Sequence, residues 1–286
     1  MTPFWTARAP LSKSARAVVT GAGSGIGRAF AVELARRGSM VLCSDVDVER
    51  AQETAALVEQ AGGTARATEC DVSQRDDVVR LASVAEQFFQ TAPSLVINNA
   101  GVAAGGRVIG EIGFDDWNWV LGINLLGVVH GCEVFVPRLR PQRQAGIINI
   151  ASAAAYSAAP LMAAYNVSKA GVLSLSETLA AELGGTRVAV TVVCPTFVKT
   201  NVARDGHLFG SSADFAAKMV DRHGTSPDVI ARKALDANDK GRLYVMPQYD
   251  AKIGWRVKRL APTLTTRTMA LAARSVGTSA EAQHVN

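Results

Sequence analysis

The sequence is poor in several features that mark common protein classes. Aromatic residues make up 6% and charged residues 19% of the 286 positions, whereas 48% are hydrophobic. This balance excludes a disordered chain and is typical of a globular enzyme. We expect no apolar run to reach the roughly 20 residues of a membrane-spanning helix. Residues 1–16 lack the apolar core of a signal peptide, so we expect a cytoplasmic protein.

Cysteine and histidine are also scarce. The four histidines show no metal-binding spacing, and no Cys-x-x-Cys pair occurs among the four cysteines, Cys43, Cys70, Cys132 and Cys194. Three of these cysteines lie in apolar, strand-like runs. We therefore expect buried, reduced thiols and predict no metal site.

Acidic residues are nearly missing from the end of the chain. Residues 252–286 hold six basic side chains and one acid, so this segment carries the whole net charge of +5. Ile253, Val257 and Leu260 would share one helical face there, before Pro262 interrupts the helix. Basic side chains flank that face: Lys252, Arg256 and Arg259.

Such a basic amphipathic helix has two interpretations. It packs against the protein's own body or a sister subunit, or it lies on an anionic membrane surface as a peripheral contact. We favour packing. Binding of nucleic acid is not expected, because the segment lacks interleaved aromatic residues beyond Trp255.

Strand-like and helix-like patterns alternate along most of the chain. Seven apolar runs are predicted to be strands: Ala15–Thr20, Met40–Ser44, Ala65–Cys70, Ser94–Asn98, Gly146–Ala151, Val188–Cys194 and Leu243–Met246. Helical patterns lie between them: Ile26–Arg37, Val48–Ala61, Arg75–Phe89, Trp117–Phe135 and Met162–Leu183. This alternation predicts an α/β fold with a parallel sheet and helices on both faces.

A glycine-rich turn joins the first predicted strand to the first helix. Thr20 to Gly27 reads T-G-A-G-S-G-I-G, and the generic G-x-G-x-x-G spacing fails because the sixth position from Gly21 is Ile26. Glycines let the backbone approach a pyrophosphate closely, and a helix N-terminus offers free N–H groups to it. A plain tight connection is the alternative, but this position in a doubly wound sheet predicts a dinucleotide site.

Asp45 ends the second predicted strand, 24 residues after Gly21. An acid there accepts hydrogen bonds from both ribose hydroxyls of NAD and repels the 2′-phosphate of NADP. No arginine or lysine lies within Gly21–Gly27 to attract that phosphate. Both features favour NAD, whereas capping of the next helix suits Asp47 better.

Tyr165 and Lys169 lie four residues apart, and Ser152 lies thirteen residues before the tyrosine. Positions i and i+4 share a helical face, so the ammonium can stabilise a phenolate and lower the tyrosine pKa from about 10. A phenol with a lowered pKa is a better proton carrier near neutral pH, and the serine hydroxyl could hold a substrate oxygen beside it.

Together these motifs resemble the short-chain dehydrogenase/reductase family over about Ala15 to Tyr249. The matching elements occur in the family's order: the Thr20–Gly27 turn, Asp71-Val72, Asn98-Asn99-Ala100-Gly101, Asn124, Ser152 and the Tyr165–Lys169 pair. One departure is Thr196, which follows Pro195 where the family usually has glycine. A β-branched residue there is expected to reshape the loop beside the nicotinamide.

The resemblance implies a role for each residue of the site. Tyr165 would exchange a proton with the substrate oxygen, which Ser152 would orient. Lys169 would bind the nicotinamide ribose and lower the tyrosine pKa, and Asn124 would hold a water in the proton relay. The expected cofactor-binding residues are Gly21, Ser24, Gly25, Ile26, Gly27, Asp45, Asp71, Val72, Asn98, Ala100, Gly101, Tyr165, Lys169, Pro195, Val198 and Thr200.

The resemblance also implies the architecture. We expect one Rossmann-like doubly wound domain with a seven-stranded parallel sheet over residues 15–251. An N-terminal arm over 1–14 and a basic extension over 252–286 would flank it. A homodimer or homotetramer is expected.

We therefore expect an oxidoreductase that transfers a hydride between NAD(H) and a secondary alcohol or ketone. In this family the segment after the sixth strand, here about 201–225, closes over the substrate. The apolar members of this segment are Leu208, Phe209, Phe215 and Met219. They favour a lipophilic substrate, although ordinary helix packing explains them equally well. Two alternatives stay open: an NADPH-dependent carbonyl or 3-oxoacyl reductase, and a non-catalytic dinucleotide-binding sensor or scaffold.

Overall fold

A seven-stranded parallel sheet forms the centre of the protein. The computed structural model describes residues 10–200, 206–209 and 211–281. The sheet strands are β1 Arg16–Thr20, β2 Met40–Asp45, β3 Thr64–Glu69, β4 Leu95–Asn98, β6 Ala145–Ile150, β7 Val188–Val193 and β9 Tyr244–Val245. Two short strands, β5 Ala104–Gly105 and β8 His207–Leu208, pair separately. The sheet order is β3-β2-β1-β4-β6-β7-β9, which confirms the predicted fold class.

Helices cover both faces of this sheet. Their bounds are α1 Gly25–Arg36, α2 Val48–Gln60, α3 Arg75–Phe89, α4 Phe114–Leu121, α5 Gly127–Leu139, α6 Ala154–Ser157, α7 Ala163–Glu182, α8 Ser211–His223, α9 Pro227–Asp239, α10 Tyr249–Leu260 and α11 Pro262–Glu281. Apolar residues of α1 and α9 fill one core, whereas those of α3, α5 and α7 fill the other.

The strands are apolar along their length because both faces are covered. Val18 and Val96 belong to the core under α3, α5 and α7, whereas Val19 and Ile97 belong to the core under α1 and α9. Successive side chains of a strand point to opposite faces, so a strand that is buried on both sides must be apolar at every position. This arrangement fixes the register between β1 and β4, in which Val18 lies opposite Val96 and Val19 opposite Ile97.

The predicted helix Trp117–Phe135 is longer and is divided by a π-helical turn. That turn spans Gly122–Leu126, between α4 and α5. The continuous stretch Phe114–Leu139 is apolar and long enough to cross a membrane by length and composition, contrary to the expectation for apolar runs. Half of its most apolar window is buried, and α5 packs against α3 and β4. Its place in the core accounts for its composition.

The basic end of the chain begins as a docked helix. The Tyr156 hydroxyl donates a hydrogen bond to the Ala251 carbonyl at 2.9 Å, and the Trp255 ring meets the ring of Tyr244 edge-on at 5.3 Å. α10 ends at Leu260 and α11 begins at Pro262, as the proline predicts. α10 starts inside the predicted sheet domain, so the boundary at residue 251 falls within a helix.

All four cysteines are buried and unpaired, as predicted. Burial raises the pKa of the Cys43 thiol to about 12, and the other three thiols shift in the same direction. These thiols stay protonated at neutral pH and are poor nucleophiles.

Candidate active site

The predicted site residues meet along one edge of the sheet. The glycine turn follows β1, the Asn98–Gly101 segment follows β4, Ser152 follows β6 and the Pro195–Thr200 loop follows β7. Parallel strands bring their carboxyl ends to the same edge, and the chain order reverses between β1 and β4. Ligands of open α/β sheets bind in the crevice at such a point.

The turn after β1 has the form of a phosphate cradle. Gly21 and Gly25 adopt positive φ angles of 62° and 53°, and a Cβ on Gly21 would lie 2.7 Å from the Ala100 Cα atom. α1 begins at Gly25, so the first N–H groups of this helix, which include those of Ile26 and Gly27, have no partner within the helix. Glycine is required here by both conformation and space.

The residue before α1 leaves this helix end open. Ser24 occupies the N-cap position, and its side chain makes no capping hydrogen bond. Asn99 braces the turn from behind, because its amide donates to the carbonyl oxygens of Thr20 at 2.9 Å and Gly21 at 3.0 Å. A rigid turn with available N–H groups fits the pyrophosphate of a dinucleotide.

Asp45 contacts the glycine turn directly. Its carboxylate accepts hydrogen bonds from the backbone N–H of Gly23 at 2.8 Å and of Asp47 at 3.0 Å. Asp47 caps α2 by accepting from the Arg50 N–H at 3.1 Å, which is the role expected for it. Asp45 thus lies at the end of β2 with its charge beside the cradle.

Two arginines also reach the turn, and sequence reasoning missed both. An Arg28 guanidinium nitrogen lies 2.6 Å from the Gly23 carbonyl oxygen and 2.8 Å from the Glu53 carboxylate. The Cβ of Arg50 lies 2.7 Å from where a Cβ on Gly23 would stand, and its Nε pairs with Asp47 at 3.1 Å. Arg28 lies one position beyond Gly27, just outside the Gly21–Gly27 turn.

Asp71 and Val72 follow β3 at the rim of the same edge. The Asp71 carboxylate accepts a hydrogen bond from the Ser73 N–H at 2.9 Å, which forms the turn into α3. Val72 is buried, and its carbonyl oxygen lies 2.9 Å from Nδ1 of His130. The backbone of both residues is therefore held firmly where the adenine is expected.

Asn98 lies inside the protein and does not line the crevice. Its side-chain amide donates to Oδ1 of Asn149 at 2.9 Å, and Asn149 donates to the Ser176 hydroxyl at 3.0 Å. All three side chains are buried. These hydrogen bonds hold β4 against β6. Ala100 and Gly101, and not Asn98, form the crevice wall.

Asn124 lies in the π-helical turn with no solvent exposure. Its Oδ1 accepts from the Val102 N–H at 2.8 Å, and its Nδ2 donates to the Val102 carbonyl at 2.9 Å and to the Ser168 hydroxyl at 3.3 Å. Both ends of the amide are thus engaged by protein groups. The amide nitrogen already donates to two protein acceptors, so it has no free donor for the expected relay water. The side chain anchors the loop after β4.

Gly101 lies against both the Asn124 and the Lys169 side chains. A Cβ at this position would lie 3.1 Å from Oδ1 of Asn124 and 3.3 Å from Nζ of Lys169. A larger residue would fit only if these neighbours shifted slightly. The resemblance had assigned Gly101 to the cofactor, and the structure adds this reason for glycine.

Tyr165 and Lys169 occupy successive turns at the start of α7. Nζ of Lys169 lies 5.8 Å from the centre of the Tyr165 ring and donates to the Ile150 carbonyl at 3.0 Å. Ser152 Oγ accepts from the Ala154 N–H at 3.2 Å and lies close enough to the Tyr165 phenol to affect its pKa. The three predicted catalytic groups are therefore brought together.

Burial controls the protonation of this pair. It raises the pKa of the Tyr165 phenol, and the hydrogen bond with Ser152 opposes that rise. Burial also lowers the pKa of Lys169 to about 8. The expected lowering of the tyrosine pKa by Lys169 is not seen in this structure, because loss of solvation outweighs the neighbouring groups.

The loop after β7 is tied to the end of the chain. The Thr196 N–H donates to Oε1 of Gln248 at 3.2 Å, and its hydroxyl donates to Asp250 at 3.4 Å. Thr196 does not have a positive φ, so the threonine fits without strain. The departure from glycine thus attaches the Pro195–Thr196 loop to the start of α10.

Two more residues of this loop were expected to bind the cofactor. Val198 is buried and forms an isolated parallel bridge with Thr225. Thr200 faces the glycine turn, because its Cγ2 lies 3.0 Å from where a Cβ on Gly25 would stand. The loop and the cradle therefore form opposite walls of the crevice.

A further cluster holds the segment that was expected to close over the substrate. β8 pairs with β5, and Nδ1 of His207 lies 3.0 Å from Oδ1 of Asp116. The His207 ring stacks on Trp119 at 3.9 Å, and Arg107 lies 3.8 Å over the Phe209 ring. Sequence reasoning missed Arg107, Asp116 and Trp119, since nothing in their spacing signals contact with residue 207.

The rest of that segment is only partly described. Residues 201–205 and the side chain of Phe215 lie outside the described residues. Leu208 and Met219 are half-buried, whereas His223 is exposed. The cavity between Phe209 and the start of α7 measures about 20 Å³, room for about one water. Within the described residues, no group of three or more His, Cys, Asp or Glu side chains is placed to hold a metal ion.

The sequence matches a known family across most of its length. The family model described as short chain dehydrogenase covers residues 15–207. The chain therefore belongs to the short-chain dehydrogenase family. Proteins of this family bind a nicotinamide dinucleotide. The glycine cradle and the open start of α1 fit such a group.

Curated relatives differ in their names and lengths. The chain is 35% identical over 223 residues to the D-threitol dehydrogenase of Mycolicibacterium smegmatis, covering 77% of this chain and 84% of that protein. It is 32% identical over 205 residues to the 3beta-hydroxysteroid dehydrogenase of Mediterraneibacter gnavus, covering 71% of each. The "Probable oxidoreductase EphD" of Mycobacterium tuberculosis is 38% identical over 185 residues, and the chain spans 31% of its length.

Solved structures show the same architecture. A short-chain dehydrogenase/reductase from Burkholderia phymatum, crystallised in complex with NAD, superposes with a TM-score of 0.82. It is 32% identical, and the match covers 88% of this chain and 96% of that one. The LigD structure from a Sphingobium strain gives a TM-score of 0.73 at 26% identity.

Proposed function

We propose that this protein is an NAD-dependent dehydrogenase of secondary alcohols, which also reduces the corresponding ketones, with Tyr165 as the proton-exchanging group. The carrying observation is the cluster of Ser152, Tyr165 and Lys169 at the carboxyl edge of the sheet. This cluster shares its crevice with the cradle around Gly21. A nicotinamide bound there would supply the hydride chemistry.

Each residue of the cluster has a task that follows from its contacts. The Ser152 hydroxyl, which lies near the phenol, orients the substrate oxygen beside it. The Tyr165 phenol donates its proton to that oxygen in reduction, and the phenolate accepts the proton in oxidation. The Lys169 ammonium, held by the Ile150 carbonyl, lies one turn behind, where its charge would offset part of the burial cost of a phenolate formed during oxidation.

The proposed choice of NAD rests on the charges beside the cradle. Asp45 carries a negative charge next to Gly23, and it would repel a 2′-phosphate. Arg28 is paired with Glu53 and Arg50 with Asp47, so each nearby cation has an anionic partner. The same two arginines support the alternative of NADP, because its 2′-phosphate could replace Glu53 and Asp47 as their partners.

The proposed lipophilic substrate rests on the walls of the small cavity beside α7. Ala104, Leu161, Met162 and Phe209 line it, and Leu208 packs near Gly105. Arg107, Asp116 and His207 lie at the cavity but engage one another. An alcohol with an apolar body would contact these walls more favourably than a polyol. The relatives named for a steroid and for a sugar alcohol indicate the apolar and the polar substrates that should be compared.

A cofactor and substrate screen tests the proposal. Initial rates with NAD and with NADP are measured across aliphatic, terpenoid and steroid alcohols and polyols. We expect NAD to be preferred with an apolar alcohol, and replacement of Asp45 by Ala to lower that preference at least tenfold. An unchanged preference in the Asp45→Ala variant would remove Asp45 from this role.

The variant Tyr165→Phe separates an enzyme from a sensor. We expect it to bind NADH, monitored by fluorescence, and to lose turnover by about a hundredfold or more, the range of general acid–base catalysis. Persistent turnover would contradict the role of Tyr165. Binding of NADH without turnover of any alcohol or ketone by the unmodified protein would favour a non-catalytic sensor.

A further inference from the structure

The two C-terminal helices present an apolar stripe to the surface. Ile253, Val257 and Leu260 in α10, and Leu264 and Leu271 in α11, are between 42% and 87% exposed. The three residues of α10 follow the i, i+4, i+7 pattern of one helical face. Scattered exposed apolar residues are ordinary, but five on two consecutive helices, with three on one face of α10, are more than scatter.

The stripe is not the face that packs against the protein. α10 is anchored by Ala251, whose carbonyl accepts from Tyr156, and by Trp255, which meets Tyr156 and Tyr244. Arg259 covers the outer side of Trp255 at 4.1 Å. α10 therefore packs on the protein's own body through Ala251 and Trp255, whereas the stripe of Ile253, Val257 and Leu260, for which packing was predicted, is exposed.

The charge around the stripe selects its partner. Six basic side chains and no acidic one lie between residues 252 and 280. Lys252, Arg256 and Arg267 are exposed. A two-fold contact through this stripe would bring two sets of cations to one interface without acidic side chains of residues 252–280 to neutralise them. An anionic lipid surface complements the cations and accepts the apolar stripe at its interface.

We propose that α10 and α11 form a docking surface for an anionic membrane. The helices would lie in the plane of the interface, with the stripe among the acyl chains and the cations at the headgroups. α6, which carries Tyr156, begins two residues after Ser152, so docking would bring the crevice close to the lipid. Entry of an apolar alcohol from the membrane would follow only if the proposed function is right. The docking itself is independent of that function.

Vesicle co-sedimentation of the full chain tests the docking surface without measuring turnover. The vesicles are phosphatidylcholine alone or mixed with phosphatidylglycerol, at low and high salt. We expect binding to the mixed vesicles only, weakened by salt. The variant K252E/R256E/R267E should bind at least about a hundredfold more weakly, since each cation contributes about fivefold near such a surface.

A matched variant controls for net charge. K240E/R140E/R143E makes the same charge change at exposed positions outside the two helices, and it should bind vesicles nearly as the unmodified chain does. Equal losses in both variants would show that only net charge matters and would overturn the proposal. The absence of binding to mixed vesicles by the unmodified chain would overturn it too.

A second variant tests the stripe and the alternative partner. L260S/L264S/L271S should reduce binding to mixed vesicles while the oligomeric mass, measured by light scattering, stays the same. A change in mass without a change in vesicle binding would assign the stripe to a sister subunit and reject the membrane. Far-ultraviolet circular dichroism confirms that the helices persist.

Discussion

Replacement of Lys169 by Met is expected to make the cofactor-free protein more stable at neutral pH while it abolishes turnover. Lys169 is 4% exposed, and burial lowers its pKa from 10.5 to about 8. Folding therefore imposes about 3 kcal/mol on the charged lysine at pH 7. Methionine removes that cost but leaves the Ile150 carbonyl without its donor, which costs about 1 kcal/mol. The net expectation is a gain of about 2 kcal/mol.

The dependence of this gain on pH is the sharper part of the prediction. Because the folded pKa lies below the unfolded one, the cost is fully present below about pH 8 and disappears as pH rises toward 10.5. Urea unfolding at pH 7 and pH 9.5 should show the advantage of Lys169→Met fall by about 2 kcal/mol. The exposed Lys240→Met is the control, with little change at either pH.

The result that refutes this reasoning is specific. If Lys169→Met is no more stable than the unmodified protein at pH 7, and the difference is the same at pH 9.5, Lys169 is not held under a burial penalty. If the variant is more stable but retains turnover, the role of the ammonium beside Tyr165 is wrong. Stability and activity are thus opposed at this one position, as expected of a functional site.

Three further changes test the surroundings of the site. Asn124→Ala should destabilise the protein by about 2–4 kcal/mol in urea unfolding, because both backbone groups of Val102 lose their partner; a loss below 1 kcal/mol would contradict this. Thr196→Gly should cost about 1 kcal/mol through backbone entropy, and a gain in stability would mean that the threonine is strained after all. Asp116→Asn should raise KM with kcat nearly unchanged, since the carboxylate that pairs with His207 in the closing segment is neutralised; an equal fall in kcat would indicate a role in the chemistry instead.

Much of the fold was predictable because its signals are local. The strands were identified to within about a residue or two at their ends, since apolar runs of β4 and its neighbours are bounded by turn residues. The parallel arrangement followed from the alternation with helices. The π-helical turn at Gly122–Leu126 was not predicted, because its composition is that of an ordinary apolar helix.

The candidate site was predictable as a set of residues but not as a network. Ser152, Tyr165 and Lys169 were identified by spacing, and the structure brings them together. The direction of the Tyr165 pKa was wrong for this structure, since a helical spacing of four residues says nothing about burial. The contacts of Asn124 with Val102 join residues 22 positions apart, and no local pattern indicates them.

The sequence by itself determined the alternation of strands and helices, the glycine cradle, the order of the motifs and the basic end of the chain. Each of these depends on neighbours along the chain, through backbone geometry or helical periodicity. Only the tertiary structure decided that Arg28 and Arg50 stand beside the cradle, that Thr196 holds α10, and that the apolar stripe of the last helices faces outward. Those outcomes depend on which distant surfaces compete for burial, and a local pattern carries no information on that competition.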